Sequence, residues 1–444
     1  MLLHYFYLYG TMYLRIKGDV MYIVDLINKK RNNGKFSKEE IDYIINGYCK
    51  DEIKDYQMSS LLMAICINGL DSEETVNLTE SMLNSGKIID LSSISGVKVD
   101  KHSTGGVGDK TTLIVAPIVA ALGIPVVKMS GRGLGYTGGT VDKLESIPNY
   151  NVNLSMDEMI KEVHDINVCI ATTSHDLAPA DKKIYALRDV TGTVSSKSLI
   201  AASIMSKKLA SGADKILLDV KYGHGALLQT KEEAVDLAKL MVYIGNRHRK
   251  ETRALISNMD YPLGNMVGNA LEVKEALEIL NGGGNKDLRD LCIVLATYMV
   301  SMAKNMDYMQ AQGEVLRVIR TKEAYNKFLE LIKYQGGDIN NLNISNYIIN
   351  ITSDKEGYIN DIDALKIAEC SLNLGSGRKI KEDTIDYSVG IEIIKHVSEY
   401  VHPNDIIAKV YVGNKQINYN DVKNAFVIED VQKVKEPIIY GIIK

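Results

Sequence analysis

Glycine, lysine and hydroxyl-bearing residues are concentrated in one short stretch, KHSTGGVGDK, at residues 101–110. Its glycines lack a Cβ and therefore allow several backbone N–H groups to approach the same anion. The hydroxyls of Ser103 and Thr104 and the ammonium of Lys101 add further donors. This composition predicts a loop that binds a small anion such as phosphate.

A second glycine-rich stretch, SGRGLGYTGGT at residues 130–140, carries the same residue types, with hydroxyls on Ser130 and Thr140. Neither stretch contains the GxxxxGK[ST] pattern of a P-loop, and the second lacks the complete dinucleotide-binding fingerprint. One glycine loop alone could equally be a tight turn. Two such loops with interleaved serine, threonine and lysine favour a phosphate site.

His102 lies inside the first loop and could contact a different ligand. Side chains alternate along an extended strand, so Lys101 and Ser103 would point to one face and His102 to the other. One face could then hold phosphate while His102 faces a second molecule. The alternative is a histidine with a structural role.

Three further residues could recognise a planar group. Ser203 and Lys207 are four residues apart, which places them on one face of a helix, and Arg188 precedes them. Lysine, arginine and serine together suit a planar, acceptor-rich group such as the edge of a pyrimidine. Taken alone, they could also form an ordinary solvated helix face.

The elements around the loops alternate between strand and helix patterns. The runs GVKVD and IPVVKMS read as strands, and helical patterns follow each loop, the first beginning near Thr112. The same order recurs in DKILLDVKYGHGALL followed by KEEAVDLAKLMVYIG, and in ETRALISNMDYPLG followed by LEVKEALEIL. This alternation predicts a mainly parallel sheet covered by helices. Ligands of such sheets bind at the carboxyl ends of the strands, where the loops should lie.

The region before the first loop has helical patterns. SKEEIDYIINGY opens with Ser37 and Glu40 at capping-box spacing, and Asp71 and Glu74 repeat the signal. The run YQMSSLLMAICINGL is apolar on nearly all sides, so it should be buried on more than one side. Either a homodimer contact or a core within one chain could cover it.

These patterns predict an α/β protein with a small all-helical domain, a large α/β domain and a C-terminal α+β domain. We expect an N-terminal extension at 1–20, and the helical domain at 21–85 and 180–213. The α/β domain should occupy 86–179 and 214–344, and the C-terminal domain 345–444.

Composition limits the function classes. The chain has 444 residues and a formal net charge of -4, so no general basic field points to nucleic acid or to a membrane surface. No segment reaches the ~20 apolar residues that a membrane span needs, and the aromatic start lacks the features of a secretory signal. Five scattered cysteines without CxxC spacing favour buried thiols in a reducing cytoplasm.

Four segments together resemble the thymidine and pyrimidine-nucleoside phosphorylase family: VDKHSTGGVGDKTTL, KMSGRGLGYTGGTVDKLESIP, YALRDVTGTV and ASIMSKKLASGAD. The resemblance extends from about Met21 to the C-terminus. It implies reversible phosphorolysis of pyrimidine nucleosides, with inorganic phosphate as co-substrate and no organic cofactor. It also implies a homodimer formed through the helical domains.

The resemblance assigns site residues by motif match. It implies that phosphate is bound by Lys101, Ser103, Thr112, Lys128, Met129, Ser130 and Thr140. It implies that the pyrimidine is bound by His102, Arg188, Ser203 and Lys207. Among these, His102, Arg188 and Lys207 are expected to be catalytic, because they would donate to the leaving base. Phosphate itself is the nucleophile, so no serine or cysteine nucleophile is required.

Two details of the resemblance concern specificity and metal binding. A lysine at the position of Lys128 is typical of the enzymes that act on uridine, thymidine and deoxyuridine, whereas strict thymidine phosphorylases carry an apolar residue there. Some of the broad enzymes bind potassium or a similar cation, and the positions that match are Gly108, Lys110, Leu263, Met266 and Glu275. Backbone carbonyls could still serve as ligands, but the ammonium of Lys110 would repel a cation.

Three alternatives remain. One is a strict thymidine phosphorylase. Another is an anthranilate-type phosphoribosyltransferase, which has a similar fold and a GTGG-like loop but would need Mg²⁺ and an activated ribose diphosphate. The third is a nucleoside-binding protein that has lost turnover.

Overall fold

Contacts between residues divide the chain into two units in the computed structural model, which describes residues 14–16, 19–133, 138–172, 177–380 and 382–444. The first unit, called the helical unit, lies within Met1–Ile89, His175–Gly212 and Tyr243–Arg249. The second, called the α/β unit, lies within Asp90–Ser174, Ala213–Val242 and Lys250–Lys444. Most of the predicted extension at 1–20, and residues 134–137 of the second glycine loop, fall outside the described residues.

Helices dominate the first part of the chain, and from Val99 onward strands are interspersed with one or more helices. The elements up to residue 210 are, in chain order, β1 (Leu14–Ile16), β2 (Asp19–Met21), α1 (Ile23–Arg31), α2 (Lys38–Cys49), α3 (Asp55–Asn68), α4 (Ser72–Asn84), β3 (Val99–Ser103), α5 (Thr111–Ala121), β4 (Val126–Ser130), α6 (Thr140–Glu145), α7 (Met156–Ile166), β5 (Val168–Thr172), α8 (Pro179–Asp189) and α9 (Lys197–Ala210).

The remaining elements include further strands of the main sheet, a run of four helices, and the strands of smaller antiparallel sheets. They are β6 (Lys215–Tyr222), α10 (Lys231–Arg247), β7 (Glu251–Asn258), β8 (Met266–Val267), α11 (Asn269–Leu280), α12 (Lys286–Lys304), α13 (Tyr308–Arg320), α14 (Glu323–Tyr334), β9 (Ile348–Thr352), β10 (Gly357–Ile362), α15 (Ala364–Ser371), β11 (Gly390–Ile393), β12 (Tyr400–Val401), β13 (Ile406–Tyr411), α16 (Tyr419–Lys423), β14 (Phe426–Glu429) and β15 (Ile439–Ile443). Among the described helices, none combines the length and the apolar character needed to cross a bilayer.

Both predicted capping boxes are present in the helical unit. The Ser37 hydroxyl accepts from the backbone N–H of Glu40, whose carboxylate accepts in return from the N–H of Ser37. Asp71 and Glu74 form the same reciprocal pair at the start of α4, with both distances at 2.8 Å. These bonds satisfy N–H groups that a helix start leaves unpaired, so local sequence sets where α2 and α4 begin.

One apolar core joins the two chain segments of the helical unit. It includes Ile44 of α2, Leu61 and Leu62 of α3, Ile184 of α8 and Leu199 of α9. The segment that carries α8 and α9 therefore packs against the N-terminal helices, although about ninety residues separate them in the chain.

The main sheet of the α/β unit is parallel apart from one edge strand, which confirms the predicted fold class. Its strand order is β15-β7-β6-β3, with β3, β6 and β7 parallel and β15 antiparallel to β7. Strands β4 and β5 form a second parallel pair. The carboxyl ends of β3 and β4 lead into the two glycine loops.

Helix α5 anchors the first glycine loop from its far side. Its residues Thr111 and Leu113–Ala120 are all buried, so the helix is surrounded by protein. The apolar core includes its residues Leu113 and Ile118 together with Leu291 and Leu295 of α12. Because α5 is enclosed by protein, the end of the loop that leads into it is anchored.

The C-terminal segment shares its sheets with the rest of the α/β unit. Strand β8 joins the antiparallel sheet β8-β11-β13-β9, where Val267 lies opposite Ile391. Strand β15 returns to the main sheet beside β7, where Ile443 lies opposite Ala254. A third antiparallel sheet has the order β12-β10-β14.

Candidate active site

Predicted phosphate-binding residues surround the end of β3. The Lys101 ammonium donates to the Thr111 hydroxyl at the start of α5 and lies 3.6 Å from a carboxylate oxygen of Asp219. The Ser103 hydroxyl donates to the Asp109 carboxylate within the same loop. The loop thus joins strand to helix through side-chain hydrogen bonds, and Lys101 is 3% exposed.

Asp109 is an ionised carboxylate inside the first glycine loop. Burial raises its pKa, but the ammoniums of Lys221, Lys101 and Lys143 outweigh burial, and the Ser103 hydroxyl adds to their effect, so the pKa lies well below its ordinary value. A hydroxyl has a single O–H to donate. A donation from Ser103 to any other acceptor would therefore replace its hydrogen bond to Asp109.

A buried ionic network supports the loop from β6 and β7. The Lys221 ammonium lies 2.9 Å from a carboxylate oxygen of Asp219 and 3.2 Å from the Ser257 hydroxyl. Ser257 donates to the other Asp219 oxygen at 2.6 Å. Burial lowers the pKa of Lys221, but the charges of Asp219 and Asp109 outweigh burial and raise it. Two charged residues inside the apolar strand ILLDVKY, Asp219 and Lys221, are the sequence signal from which this network could have been predicted.

The residues predicted on β4 have different surroundings. The Lys128 ammonium donates to the backbone carbonyl of Lys101 at 2.6 Å and lies 3.3 Å from a carboxylate oxygen of Asp100. Lys128 thus connects β4 to β3. Met129 is buried, whereas Ser130 at the end of the strand is half-buried.

Lys143, which the sequence analysis did not single out, bridges the two glycine loops. Its ammonium donates to the backbone carbonyls of Asp109 at 2.7 Å and Gly138 at 3.2 Å, and lies 3.1 Å from a Glu272 carboxylate oxygen. It lies three residues after Thr140, which is the first residue of α6. The structure therefore brings together the loops that carry Lys101, Ser103 and Thr140, while Thr112 is the second residue of α5.

The second loop has an additional support from the C-terminal segment. The Asp142 carboxylate accepts from the backbone N–H of Gly133 at 2.6 Å and from the Arg378 guanidinium at 2.8 Å. Arg378 lies more than two hundred residues further along the chain, and no local pattern identifies it.

The five residues that match a cation site come together in the α/β unit, around an ammonium group. The Lys110 ammonium donates to the carbonyls of Leu263 and Met266, both at 2.8 Å, and to the Glu275 carboxylate at 2.5 Å. A Cβ placed on Gly108 would lie 2.7 Å from the Leu263 carbonyl oxygen, so this backbone is also in close contact. Within the described part of the chain, no cluster of three or more histidine, cysteine or acidic side chains could hold a metal.

Ser203 and Lys207 share a face of α9 in the helical unit, as their spacing predicts. The Lys207 ammonium donates to the Ser203 hydroxyl at 3.1 Å and to the Asp181 carboxylate of α8 at 2.6 Å. Lys207 is partly exposed, whereas Asp181 is buried. Asp181 therefore holds the ammonium beside Ser203.

Arg188 lies in the last turn of α8 and is 1% exposed. Its guanidinium donates to the backbone carbonyls of Thr193 at 3.2 Å, Leu199 at 3.2 Å and Val194 at 2.7 Å. Burial lowers its pKa, against the opposing charge of Asp181. In this arrangement Arg188 holds the connection between α8 and α9.

His102 belongs to the α/β unit, unlike the other residues predicted to contact the pyrimidine. It lies on β3 opposite Leu218 of β6 and is half-buried. Strand alternation places it on the opposite face from Lys101 and Ser103, as the sequence predicts.

A solved structure shares the fold of this chain. The anthranilate phosphoribosyltransferase from Thermus thermophilus superposes with a TM-score of 0.54, covering 70% of this chain and 99% of its own. The two sequences are 16% identical, so this likeness concerns the fold alone.

Family models match three successive parts of the chain. The glycosyl transferase family helical bundle domain matches residues 24–86, and the glycosyl transferase family a/b domain matches residues 95–325. The pyrimidine nucleoside phosphorylase C-terminal domain matches residues 358–429.

Similar curated proteins carry the name pyrimidine-nucleoside phosphorylase. A relative from Staphylococcus epidermidis is 50% identical over 405 residues, which cover 90% of this chain and 94% of the relative. A relative from Geobacillus stearothermophilus is 48% identical over 410 residues, covering 91% and 94%, and one from Bacillus subtilis is 48% identical over 405 residues, covering 90% and 94%. With identity this high over nearly the whole length, the chain belongs to the pyrimidine-nucleoside phosphorylase family.

Proposed function

We propose that this protein catalyses the reversible phosphorolysis of pyrimidine nucleosides to the free base and (2-deoxy-)α-D-ribose 1-phosphate. The observation that carries the proposal is 50% identity over 90% of the chain to an enzyme named for this activity. Uridine, thymidine and deoxyuridine are the proposed nucleosides, and inorganic phosphate is the co-substrate. The enzyme is thus a pentosyltransferase.

In the proposed reaction, a phosphate oxygen forms a bond to C1′ while the bond from C1′ to the base nitrogen breaks. The electron pair of the broken bond passes to the pyrimidine, which gains a proton as it leaves. The configuration at C1′ is inverted. Because phosphate is the nucleophile, the protein contributes by orienting the two substrates and by stabilising the charge that develops on the base.

Phosphate is assigned to the α/β unit. Its proposed contacts are Lys101, Ser103, Thr112, Ser130 and Thr140, with Lys128 and Met129 lining the site. The hydrogen bonds of Lys143 to both glycine loops support this assignment, because they hold the loops together. The backbone N–H groups of these loops and the positive end of α5 suit an anion.

The pyrimidine is assigned to His102, Arg188, Ser203 and Lys207. We assign His102 as a donor toward O2 of the base, and Arg188 and Lys207 as donors toward its carbonyl oxygens. Ser203 orients the ring. The Lys207 ammonium, held 2.6 Å from the Asp181 carboxylate and partly exposed, supports its assignment as a preorganised cationic donor.

Broad nucleoside specificity is proposed because a lysine at the position of Lys128 is typical of the enzymes that act on several pyrimidine nucleosides. In the structure this lysine is buried, and its ammonium donates to a backbone carbonyl of β3. A panel of uridine, thymidine and deoxyuridine, each with and without phosphate, tests this proposal by the free base released. Comparable turnover of all three is expected. Turnover of thymidine alone would identify a strict thymidine phosphorylase.

A requirement for divalent metal distinguishes phosphoribosyltransferase activity from the proposed phosphorolysis. The fold is shared with the anthranilate enzyme, but phosphorolysis does not require Mg²⁺ or an activated ribose diphosphate. Base release in EDTA supports the phosphorylase. Activity that needs both Mg²⁺ and a ribose diphosphate donor would contradict it.

A homodimer through the helical unit is proposed from the outer face of α3. Tyr56, Met63 and Ile67 are 71%, 41% and 75% exposed. Their spacing places them on one side of the helix, opposite the buried Leu61 and Leu62. An exposed apolar stripe of this kind suits a second copy of the chain.

We propose a reducing compartment for the reaction and no role for potassium in it. The five cysteines are free thiols, which supports a reducing compartment such as the cytoplasm. The ammonium of Lys110 lies among the oxygens that match a cation site, so potassium has no part in the proposed reaction.

A further inference from the structure

The Lys110 ammonium has the surroundings that a bound cation would have. A lysine ammonium has three N–H donors and no acceptor. Here three oxygens receive them, the carbonyls of Leu263 and Met266 and the carboxylate of Glu275, at 2.8, 2.8 and 2.5 Å. The side chains of Lys110 and Glu275 are both 0% exposed. Donors and acceptors are therefore matched in a closed site.

The carboxylate in this site is itself fixed by the backbone. One Glu275 oxygen accepts from the N–H of Asn265 at 2.6 Å, and the other accepts from the N–H of Met266 at 2.9 Å. The turn before these N–H groups requires a glycine. Gly264 has φ +82°, and a Cβ on it would lie 2.6 Å from the Glu275 carboxylate. The acceptors are thus held in place by their own segment.

Potassium does not fit beside this lysine. A cation at the five matching positions would need the same carbonyl and carboxylate oxygens that already accept from Lys110. It would also lie close to a positive charge in buried surroundings, where like charges repel strongly. The three oxygens that a cation would need therefore already have a positive partner, the Lys110 ammonium.

We propose that the Lys110 ammonium acts as a built-in monovalent cation, so that both the stability and the phosphorolysis of this enzyme are independent of potassium. The activity part of this inference rests on the proposed function; the stability part does not.

Lys110 also joins the first glycine loop to a second segment. It is the N-cap residue of α5, and its backbone N–H donates to the carbonyl of Gly108 at 3.0 Å. The N–H of Leu263 donates to the carbonyl of Val107 at 3.0 Å, which pairs the two segments along their backbones. Lys110 is therefore a positioning residue for the loop that carries Lys101 and Ser103.

The first experiment uses the unmodified enzyme. Thermal unfolding and uridine phosphorolysis are measured in potassium, sodium and tetramethylammonium salts at equal ionic strength. The expected result is the same Tm and the same kcat in all three. A rise of either quantity that is specific to potassium, and that grows with its concentration, would overturn the proposal.

The second experiment restores a cation site. In Lys110→Thr, the oxygens of Leu263, Met266 and Glu275 lose their buried positive partner. We expect Tm to fall by about 3–5 °C and the phosphate KM to rise. Potassium should raise Tm and lower the phosphate KM in a concentration-dependent manner, and tetramethylammonium should do neither, because it is too large for the space of an ammonium.

A matched control is Lys215→Thr. The Lys215 ammonium also joins one carbonyl and one carboxylate, those of Met302 at 2.8 Å and Glu251 at 2.7 Å, but it is 22% exposed. Its Tm should not respond to potassium. If the Lys110 variant responds no more than this control, the lysine is only a structural ion pair and the proposal fails. If the Lys110 variant does not fold, the cation series on the unmodified enzyme decides alone.

The two readouts separate this proposal from the proposed function. An enzyme that releases no base in any salt, but whose Tm is independent of potassium, contradicts the phosphorolysis and supports the role of Lys110. An enzyme that releases base only in potassium supports phosphorolysis and contradicts the role of Lys110.

Discussion

Lys101 shows how one side chain could hold an anion while remaining buried. Its ammonium contacts the Thr111 hydroxyl and lies 3.6 Å from Asp219, and the residue is 3% exposed. Lys101→Ala removes a charged donor, and such bonds contribute about 1.5–3 kcal/mol. The phosphate KM should rise about 10- to 100-fold, as measured by steady-state kinetics with phosphate varied. Lys215→Ala is the control, and unchanged phosphate dependence in Lys101→Ala would remove the residue from the site.

Arg188 has two roles that an experiment must distinguish. One is the structural role of holding backbone carbonyls, and the other is the proposed donation to the leaving base. It bonds the carbonyls of Thr193, Val194 and Leu199, and we propose that it also stabilises the leaving base. Arg188→Ala should lower kcat about 100-fold, the usual effect of losing an oxyanion donor. Arg188→Lys keeps the charge without the planar fork and should recover part of the stability but little of kcat.

Kinetics and unfolding are compared for both arginine variants and for Lys183→Ala, which removes an ion pair to Asp51 in the same unit. That control should retain kcat within about twofold. A loss of less than about threefold in Arg188→Ala, or a kcat that returns fully in Arg188→Lys, would assign the residue to the loop alone.

Residues of the candidate site that lie near one another in the chain could be picked out from the sequence. Residues that tertiary packing brings in from distant parts of the chain could not. Lys101 and Ser103 were identifiable because glycine and hydroxyl neighbours occupy the same loop. Asp219 and Lys221 stand two apart in an apolar strand, a signal that sequence analysis can use in general. Arg378 gives no such signal, because its partner Asp142 is set by tertiary packing.

At the scale of elements, α7 contains a buried acid on its apolar face. Glu162 lies among Met159, Val163 and Ile166 at helical spacing, and is 1% exposed. Burial raises its pKa to about 8, while a hydrogen bond with Cys169 acts in the opposite direction. One of its carboxylate oxygens is buried without a hydrogen-bond partner among the described residues.

This pKa gives stability a defined pH dependence. Between about pH 4.5 and 8 the native state binds a proton that the unfolded state has lost, so stability falls as pH rises through that window. Glu162→Gln should be more stable than the parent by on the order of 1–3 kcal/mol at pH 8, with little difference near pH 4. Urea unfolding at pH 5, 6.5 and 8 measures the gain.

Asp157→Asn, at an exposed position in the first turn of the same helix, is the control, and its difference in stability from the parent should be the same at pH 5, 6.5 and 8. A gain for Glu162→Gln that does not grow between pH 5 and 8 would mean that the carboxyl is not protonated in the native enzyme.

Elements were predicted best where local patterns specify them. Capping boxes set the starts of α2 and α4, and the run IPVVKMS contains β4, whereas the run GVKVD overlaps β3 only at Val99 and Asp100. The short strands β8 and β15 depend on partners far away in the chain, Ile391 and Ala254 among them. Strand pairing over such distances leaves no local periodicity, so the sequence could not indicate it.

At the scale of the whole molecule, we expect the helical unit to form the dimer contact. Ile67→Glu places a charge in the exposed stripe of α3, where burial against a second copy would be unfavourable. Sedimentation should show a dimer for the parent and a monomer for the variant. Val434→Glu, at a site that is 96% exposed in the α/β unit, should stay dimeric. A monomeric parent, or a dimeric Ile67→Glu, would contradict this interface.

The direct test of the proposed function is the stoichiometry of base release from uridine, followed by absorbance, with sugar phosphate followed by ³¹P NMR in EDTA. We predict no uracil without phosphate, and with phosphate one ribose 1-phosphate, in the α configuration, for each uracil released. Uracil release without phosphate would indicate a hydrolase. Nucleoside binding without release under any of these conditions would contradict catalysis altogether.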